Sequence, residues 1–214
     1  MTNPDYTHIQ LVVDRSGSMS NIKDDMNKGM AEFLKTQAEA PGKLTIGVTR
    51  FDTVIDHLIE PDGTIESLDG MTLVEPRGGT ALNDGIGIAV THLGEHLAAM
   101  KPKDRPGTVI VMVVTDGEEN SSREYSVQSV KDLIEKQKDK YSWEFMFLGA
   151  NLDAQKTAGG YGIPKSHSIN YSFSGNGAVY AASVASSVAT RSRGGDHTGF
   201  TQEEREGDTA NAVS

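Results

Sequence analysis

Two kinds of apolar pattern alternate along the chain. Continuous runs of strand length, HIQLVVD (8–14), KLTIGVTRFD (43–52), TVIVMVVTD (108–116) and WEFMFLGA (143–150), read as strands, the first and third of them buried on both faces. Between them, apolar residues recur every three or four positions. Met19, Ile22, Met26, Met30, Phe33 and Leu34 mark a first amphipathic helix, which APGK (40–43) ends. Leu82, Ile86, Val90, Leu93 and Leu97 mark a second, expected from about Thr80 to Met100. Val127, Val130 and Ile134 mark a third, opened by Ser121 and Glu124 at capping-box spacing. TVIDHLIE (53–60) follows the second strand closely enough to pair with it antiparallel, and a turn-rich loop occupies 61–79. A short helix in NLDAQKTAGGYG (151–162), a last strand in SHSINY (166–171) and a small-residue helix in GAVYAASVASSVATRS (177–192) complete the pattern.

Strands alternating with helices predict an α/β fold: a doubly wound, mostly parallel sheet between two helix layers, with one short antiparallel edge strand. Residues 1–193 read as one domain. From Gly194 the chain is polar and aperiodic, so 194–214 is expected as a tail, flexible unless a partner orders it.

Composition narrows the function classes. The 214 residues carry 30 acidic and 20 basic side chains, a net charge of −10, and show no basic stripe, which argues against nucleic-acid binding. Without cysteine, disulfides, iron–sulfur clusters and thiolate zinc sites are excluded. No apolar run reaches the roughly 20 residues that span a bilayer, so no membrane insertion is expected. MTNPDYTHIQ has neither a basic nor an apolar leader region, and the expectation is a cytoplasmic protein or a virion component.

In doubly wound folds, ligands bind beyond the carboxyl ends of the strands, near the point where strand order reverses. Three such ends carry oxygen-bearing side chains: DRSGSM supplies Asp14, Ser16 and Ser18, RGGT supplies Thr80 behind Gly78 and Gly79, and VVTDG supplies Asp116. Two carboxylates and three hydroxyls form a hard-oxygen set, suited to Mg²⁺, or alternatively Mn²⁺ or Ca²⁺, and poor for copper or zinc. With few direct carboxylates the ion would keep net positive charge and attract an acidic side chain from outside. Each motif alone is weak, since Ser18 or Ser20 could simply cap the first helix. Arg15, between the ligands, reads as a solvated or ion-paired rim residue. Glu118 and Glu119 are expected to crowd the site with negative charge.

These segments resemble the von Willebrand factor A domains over residues 7–193. DRSGSM matches the family's Asp-x-Ser-x-Ser signature, and GGT and TDG match the other two parts of its metal-ion-dependent adhesion site. The resemblance, of bacterial or phage type, implies Ser16, Ser18 and Thr80 as direct ligands and Asp14 and Asp116 as ligands through water. It implies a non-enzymatic module that binds a partner protein whose acidic residue completes the metal shell. The segment beyond Arg193 departs from the pattern and leaves the mode of partner binding open. One alternative is a structural subunit of a phage virion or a stress-response assembly.

A hydrolase is the competing class. HLGEH, His92 to His96, fits an H-x-x-E-H zinc pattern with Glu95 as base. Leu93 and Leu97 carry the buried stripe, however, and the motif lies at the helix end remote from Thr80. A solvated helix face is the better reading, and His8, His57, His167 and His197 are too scattered to add to it. No G-x-S-x-G surrounds Ser16 or Ser18, no P-loop occurs, and Asp14 lacks a second aspartate two positions on, which weakens a phosphoryl-transfer reading.

Overall fold

The computed structural model describes residues 1–150, 153–172 and 176–211. Asn151 and Leu152, where a short helix is expected to begin, and the last three residues of the expected tail lie outside the described residues. The strands are β1 (Asn3–Asp14), β2 (Lys43–Phe51), β3 (Ile55–Gly63), β4 (Pro106–Thr115), β5 (Glu144–Ala150) and β6 (Ser168–Tyr171). The helices are α1 (Lys23–Glu39), α2 (Leu82–Ala99), α3 (Val127–Tyr141), α4 (Ala154–Gly160), α5 (Gly177–Arg193) and α6 (Gln202–Asn211). Among the described residues the strands form one sheet in the order β3-β2-β1-β4-β5-β6. Every neighbouring pair is parallel except β2–β3, which is antiparallel, as the short connection between them requires.

Alternation along the central strands builds two cores. Ile9, Leu11 and Val13 of β1 face a cluster with Met26, Met30 and Phe33 of α1 and Ala181, Ala185 and Val188 of α5. Val12 and, from β4, Val111 and Val113 face Ile86, Val90 and Leu93 of α2 and Val130 and Ile134 of α3. The small residues of α5 let it lie close to α1, where a Cβ on Gly29 would come within 3.0 Å of the Ala182 side chain.

The structure differs from the sequence reading at element ends. A 3-10 turn (Gly17–Asn21) precedes α1, whose N-cap is Ile22, and neither Ser18 nor Ser20 caps it. Ser126 and Ser129, not Ser121 and Glu124, form the capping box of α3. Val127 therefore falls in the first turn and is 44% exposed, while Val130 and Ile134 face inward. The stretch expected as a loose tail packs instead. Phe200 is buried at 2% exposure in the α1–α5 core, and Arg191 holds Glu204 of α6 at 2.9 Å. One aromatic ring can anchor a polar segment that has no periodic pattern of its own.

On the α2 face of β1, His8 and Gln10 stand where apolar residues would continue the strand. His8 is fully buried, with Nδ1 3.0 Å from Thr45 Oγ1, and desolvation pushes its pKa down to about 3. The unfolded chain gains a proton at this ring below its ordinary value while the native chain stays neutral, so stability is lost as pH falls. His8 alone accounts for a loss of about 2 kcal/mol between pH 7 and pH 5. Urea unfolding at the two pH values is expected to show this loss, and His8→Gln to lack His8's share of it.

Candidate metal centre

The point where strand order reverses lies between β1 and β4, which pair directly and whose connections leave toward opposite sides of the sheet. Asp14 ends β1 there, and Asp116 follows the last residue of β4. The structure brings all five expected residues to this edge. Asp14 is inaccessible; its Oδ1 accepts the Ser16 N–H at 2.6 Å and its Oδ2 accepts the Thr115 hydroxyl at 2.6 Å. Ser16 Oγ lies 3.0 Å from Ser18 Oγ, and the Ser18 hydroxyl donates to Asp116 Oδ1 at 2.7 Å. Ser18 is thus committed to Asp116 and not to helix capping.

Thr80 joins this group from the loop before α2. A Cβ placed on Gly117 would lie 3.0 Å from Thr80 Oγ1 and 3.7 Å from Ser18 Oγ. Gly117 therefore lets its loop pack closely against these two hydroxyls, where a side chain would crowd Thr80. Asp116 Oδ2 is buried and has no hydrogen-bond partner among the described residues. Buried acceptors are normally paired, and one left open beside converging oxygens is what an oxygen-ligated cation would use.

The electrostatics agree. Burial, with a smaller push from the Asp116 charge, raises the Asp14 pKa to about 6 against the opposing hydrogen bonds from Thr115 and Ser16. Burial likewise raises Asp116. The nearest guanidinium does not relieve them: Arg15 is buried rather than solvated on the rim, and its Nε is 2.8 Å from Asp52 and its Nη1 3.2 Å from Asp56.

The walls of the site were only partly legible in the sequence. Gly78 has φ +66 and its carbonyl accepts the Gly17 N–H at 3.1 Å, so this glycine serves a turn and the approach of two loops. Glu119 does not crowd the site with free charge. Its carboxylate accepts the N–H groups of Asn83, Ser121 and Ser122 at 2.8–2.9 Å and folds the loop after Asp116. Asn120 Oδ1 accepts the Thr80 N–H at 2.9 Å. Asp84, buried in the first turn of α2, accepts three consecutive N–H groups, of Arg123, Glu124 and Tyr125. Nothing in the sequence singles out Asp84, and Glu119 stands out there only as charge near the site, because both pair with backbone.

The zinc pattern does not assemble. His92 is partly exposed and engaged elsewhere: its Nε2 lies 2.7 Å from Glu60, and its ring stacks on His57 at 4.1 Å. Among the described residues no group of three or more His, Cys, Asp or Glu side chains is gathered to hold a metal ion. The site at the sheet edge depends on hydroxyls for the rest of its donors.

Residues 9–119, more than half the chain, match the family model described as "von Willebrand factor type A domain". The chain belongs to the von Willebrand factor type A family. Members of this family generally mediate protein–protein interactions. No curated protein matches the chain as a relative. Among solved structures, proximal thread matrix protein 1 from the mussel byssus is similar at TM-score 0.64 and 16% identity, over 86% of this chain and 46% of that one. The same mussel protein "with zinc occupied MIDAS motif" gives TM-score 0.64 and 15% identity, over 86% and 48%. The vWF domain of the type V pili tip protein Mfa5 from Porphyromonas gingivalis gives TM-score 0.59 and 10% identity, over 87% and 95%. The chain spans about half the length of the mussel protein structures it matches. At these identities the likeness is one of fold.

Replacing Asp84 with Ala strands three backbone donors against a buried wall. The expected loss is about 2–4 kcal/mol of stability, read by urea unfolding, with faster amide exchange concentrated at residues 121–125.

Proposed function

We propose that the protein is a divalent-metal-dependent interaction module, with Mg²⁺ the expected ion and Mn²⁺ or Ca²⁺ the alternatives. Ser16, Ser18 and Thr80 would hold the ion through their hydroxyls, and Asp14 and Asp116 through water. Bound there, the ion supplies a positive centre with a free position for an acidic side chain of a partner protein. The single observation that carries this reading is the buried, unpartnered Asp116 Oδ2, on a carboxylate that already takes the Ser18 hydroxyl at 2.7 Å beside Ser16. A helix cap or a loop hydrogen-bond network would have used that oxygen.

Three further features support a binding role over catalysis. The protein belongs to a family of interaction modules. The zinc seen in a MIDAS motif of a mussel matrix protein supports a metal at the equivalent edge, although a hydroxyl and carboxylate set favours harder ions here. Among the described residues, Arg15 and Arg77 are both bonded to Asp52, which commits these two guanidiniums to the loops and away from clamping a phosphate. Among the described residues no helix is long and apolar enough to cross a membrane, consistent with a partner met in solution or on a larger assembly.

Thermal melts test the metal step. A ligand that binds only the native state at one hundred times its Kd adds about 2.7 kcal/mol of apparent stability. The wild type is expected to melt higher with saturating Mg²⁺ or Mn²⁺ than with EDTA, whereas Asp14→Ala and Gly117→Val melt alike in both. A wild type indifferent to every divalent ion would remove the metal from the account. A metal-dependent pull-down, lost on Thr80→Ala, then tests the partner.

A further inference from the structure

At the end of the sheet remote from the candidate metal centre, a cavity of about 560 Å³ opens between the C-terminal halves of α2 and α3. Leu97, Val109, Leu133 and Trp143 give it an apolar lining. Arg105, Lys136 and Lys140 bring three cations to it, against the one carboxylate of Glu95. Its size is that of a small-molecule site.

Two observations indicate that this cavity is more than loose packing. The first is charge. The chain has an excess of ten acidic residues over basic ones, yet none of Arg105, Lys136 and Lys140 is ion-paired to a carboxylate among the described residues. Arg105 instead donates to the carbonyls of Ala98 and Met100 at the end of α2, and Lys140 lies 5.4 Å over the Tyr141 ring. The second is Gly94. Glycine weakens a helix interior, and a glycine kept there calls for a reason. On the same helix, a Cβ on Gly85 would meet Phe51 at 2.6 Å, and one on Gly87 would collide with Tyr125. A Cβ on Gly94 would meet only Gln137 Nε2, at an ordinary 3.4 Å. Packing does not require this glycine. What it does is leave the cavity open.

We infer that this cavity binds a small amphiphilic anion, its apolar body against Leu97, Leu133 and Trp143 and its carboxylate among Lys136, Lys140 and Arg105. The charge balance of the lining selects an anion, and the apolar lining selects a molecule with a hydrocarbon or aromatic body over a bare inorganic ion. The site is independent of the metal centre, so the two can fail separately.

Trp143 is the only tryptophan in the chain and lines the cavity, so its fluorescence reports binding directly. The full-length protein is titrated with decanoate and, separately, with decanol, both as monomers in solution. Decanoate is expected to change Trp143 emission saturably and to bind about tenfold tighter than decanol. Lys136→Gln combined with Lys140→Gln is expected to abolish that preference while the far-ultraviolet dichroism stays native. Gly94→Leu, which fills the cavity, is expected to block both ligands. The inference is overturned by an emission unchanged at decanoate saturation, by equal affinity for the acid and the alcohol, or by undiminished preference in the doubly substituted protein. In the last case the two lysines serve only the negative end of α3.

Discussion

Two carboxylates buried at the ends of adjacent parallel strands set the terms for this molecule. Asp14 and Asp116 sit where burial disfavours their ionised forms, and the Asp116 charge acts on Asp14 as well. A charge in such a place needs a counter-charge or many donors. Asp14 receives two short hydrogen bonds, but one oxygen of Asp116 receives none. A divalent cation would resolve this arrangement, and on the proposed reading the hydroxyls of Ser16, Ser18 and Thr80 would hold one without cancelling its charge. That residual charge is what would make the edge attractive to an acidic partner.

The cationic side chains near this edge are engaged in holding its loops together. Arg15 follows Asp14 directly, yet its guanidinium turns to Asp52 in the β2–β3 turn and to Asp56 at the start of β3. Asp52 also takes Arg77 at 2.7 Å, and its carbonyl accepts the Ala81 N–H. The end of β1, the β2–β3 turn and the loop that carries Thr80 are thereby tied to one buried aspartate. On the other side Asp84, Glu119 and Asn120 fold the loop after Asp116 by accepting its N–H groups or bonding Thr80. The five candidate ligands are fixed by a second ring of residues that are themselves polar and half hidden.

Much of this was legible in the sequence, and the physical reason differs from part to part. Doubly buried strands and amphipathic helices write their periodicity into the chain, so the order of elements and the sheet class follow from Val12, Val111, Ile86 and their like. The five oxygen residues stand out because two strand ends and the loop before α2 converge on one edge. What pairs with backbone leaves no such trace. Asp84 and Glu119 look like ordinary helix-start and loop acids, and the capping serines of α3 were displaced by five residues from an equally plausible pair. His57 and His92 lie far apart in sequence and stack only because β3 folds back beside α2. Phe200 is one ring in a polar stretch, too little for a pattern and enough for an anchor.

Crystals grown with Mn²⁺ and measured at its absorption edge would test the central claim most directly. The account predicts one strong anomalous peak within bonding distance of the hydroxyl oxygens of Ser16, Ser18 and Thr80, beside Gly117. A saturated crystal with no peak at that position, or with manganese bound only elsewhere, would contradict it.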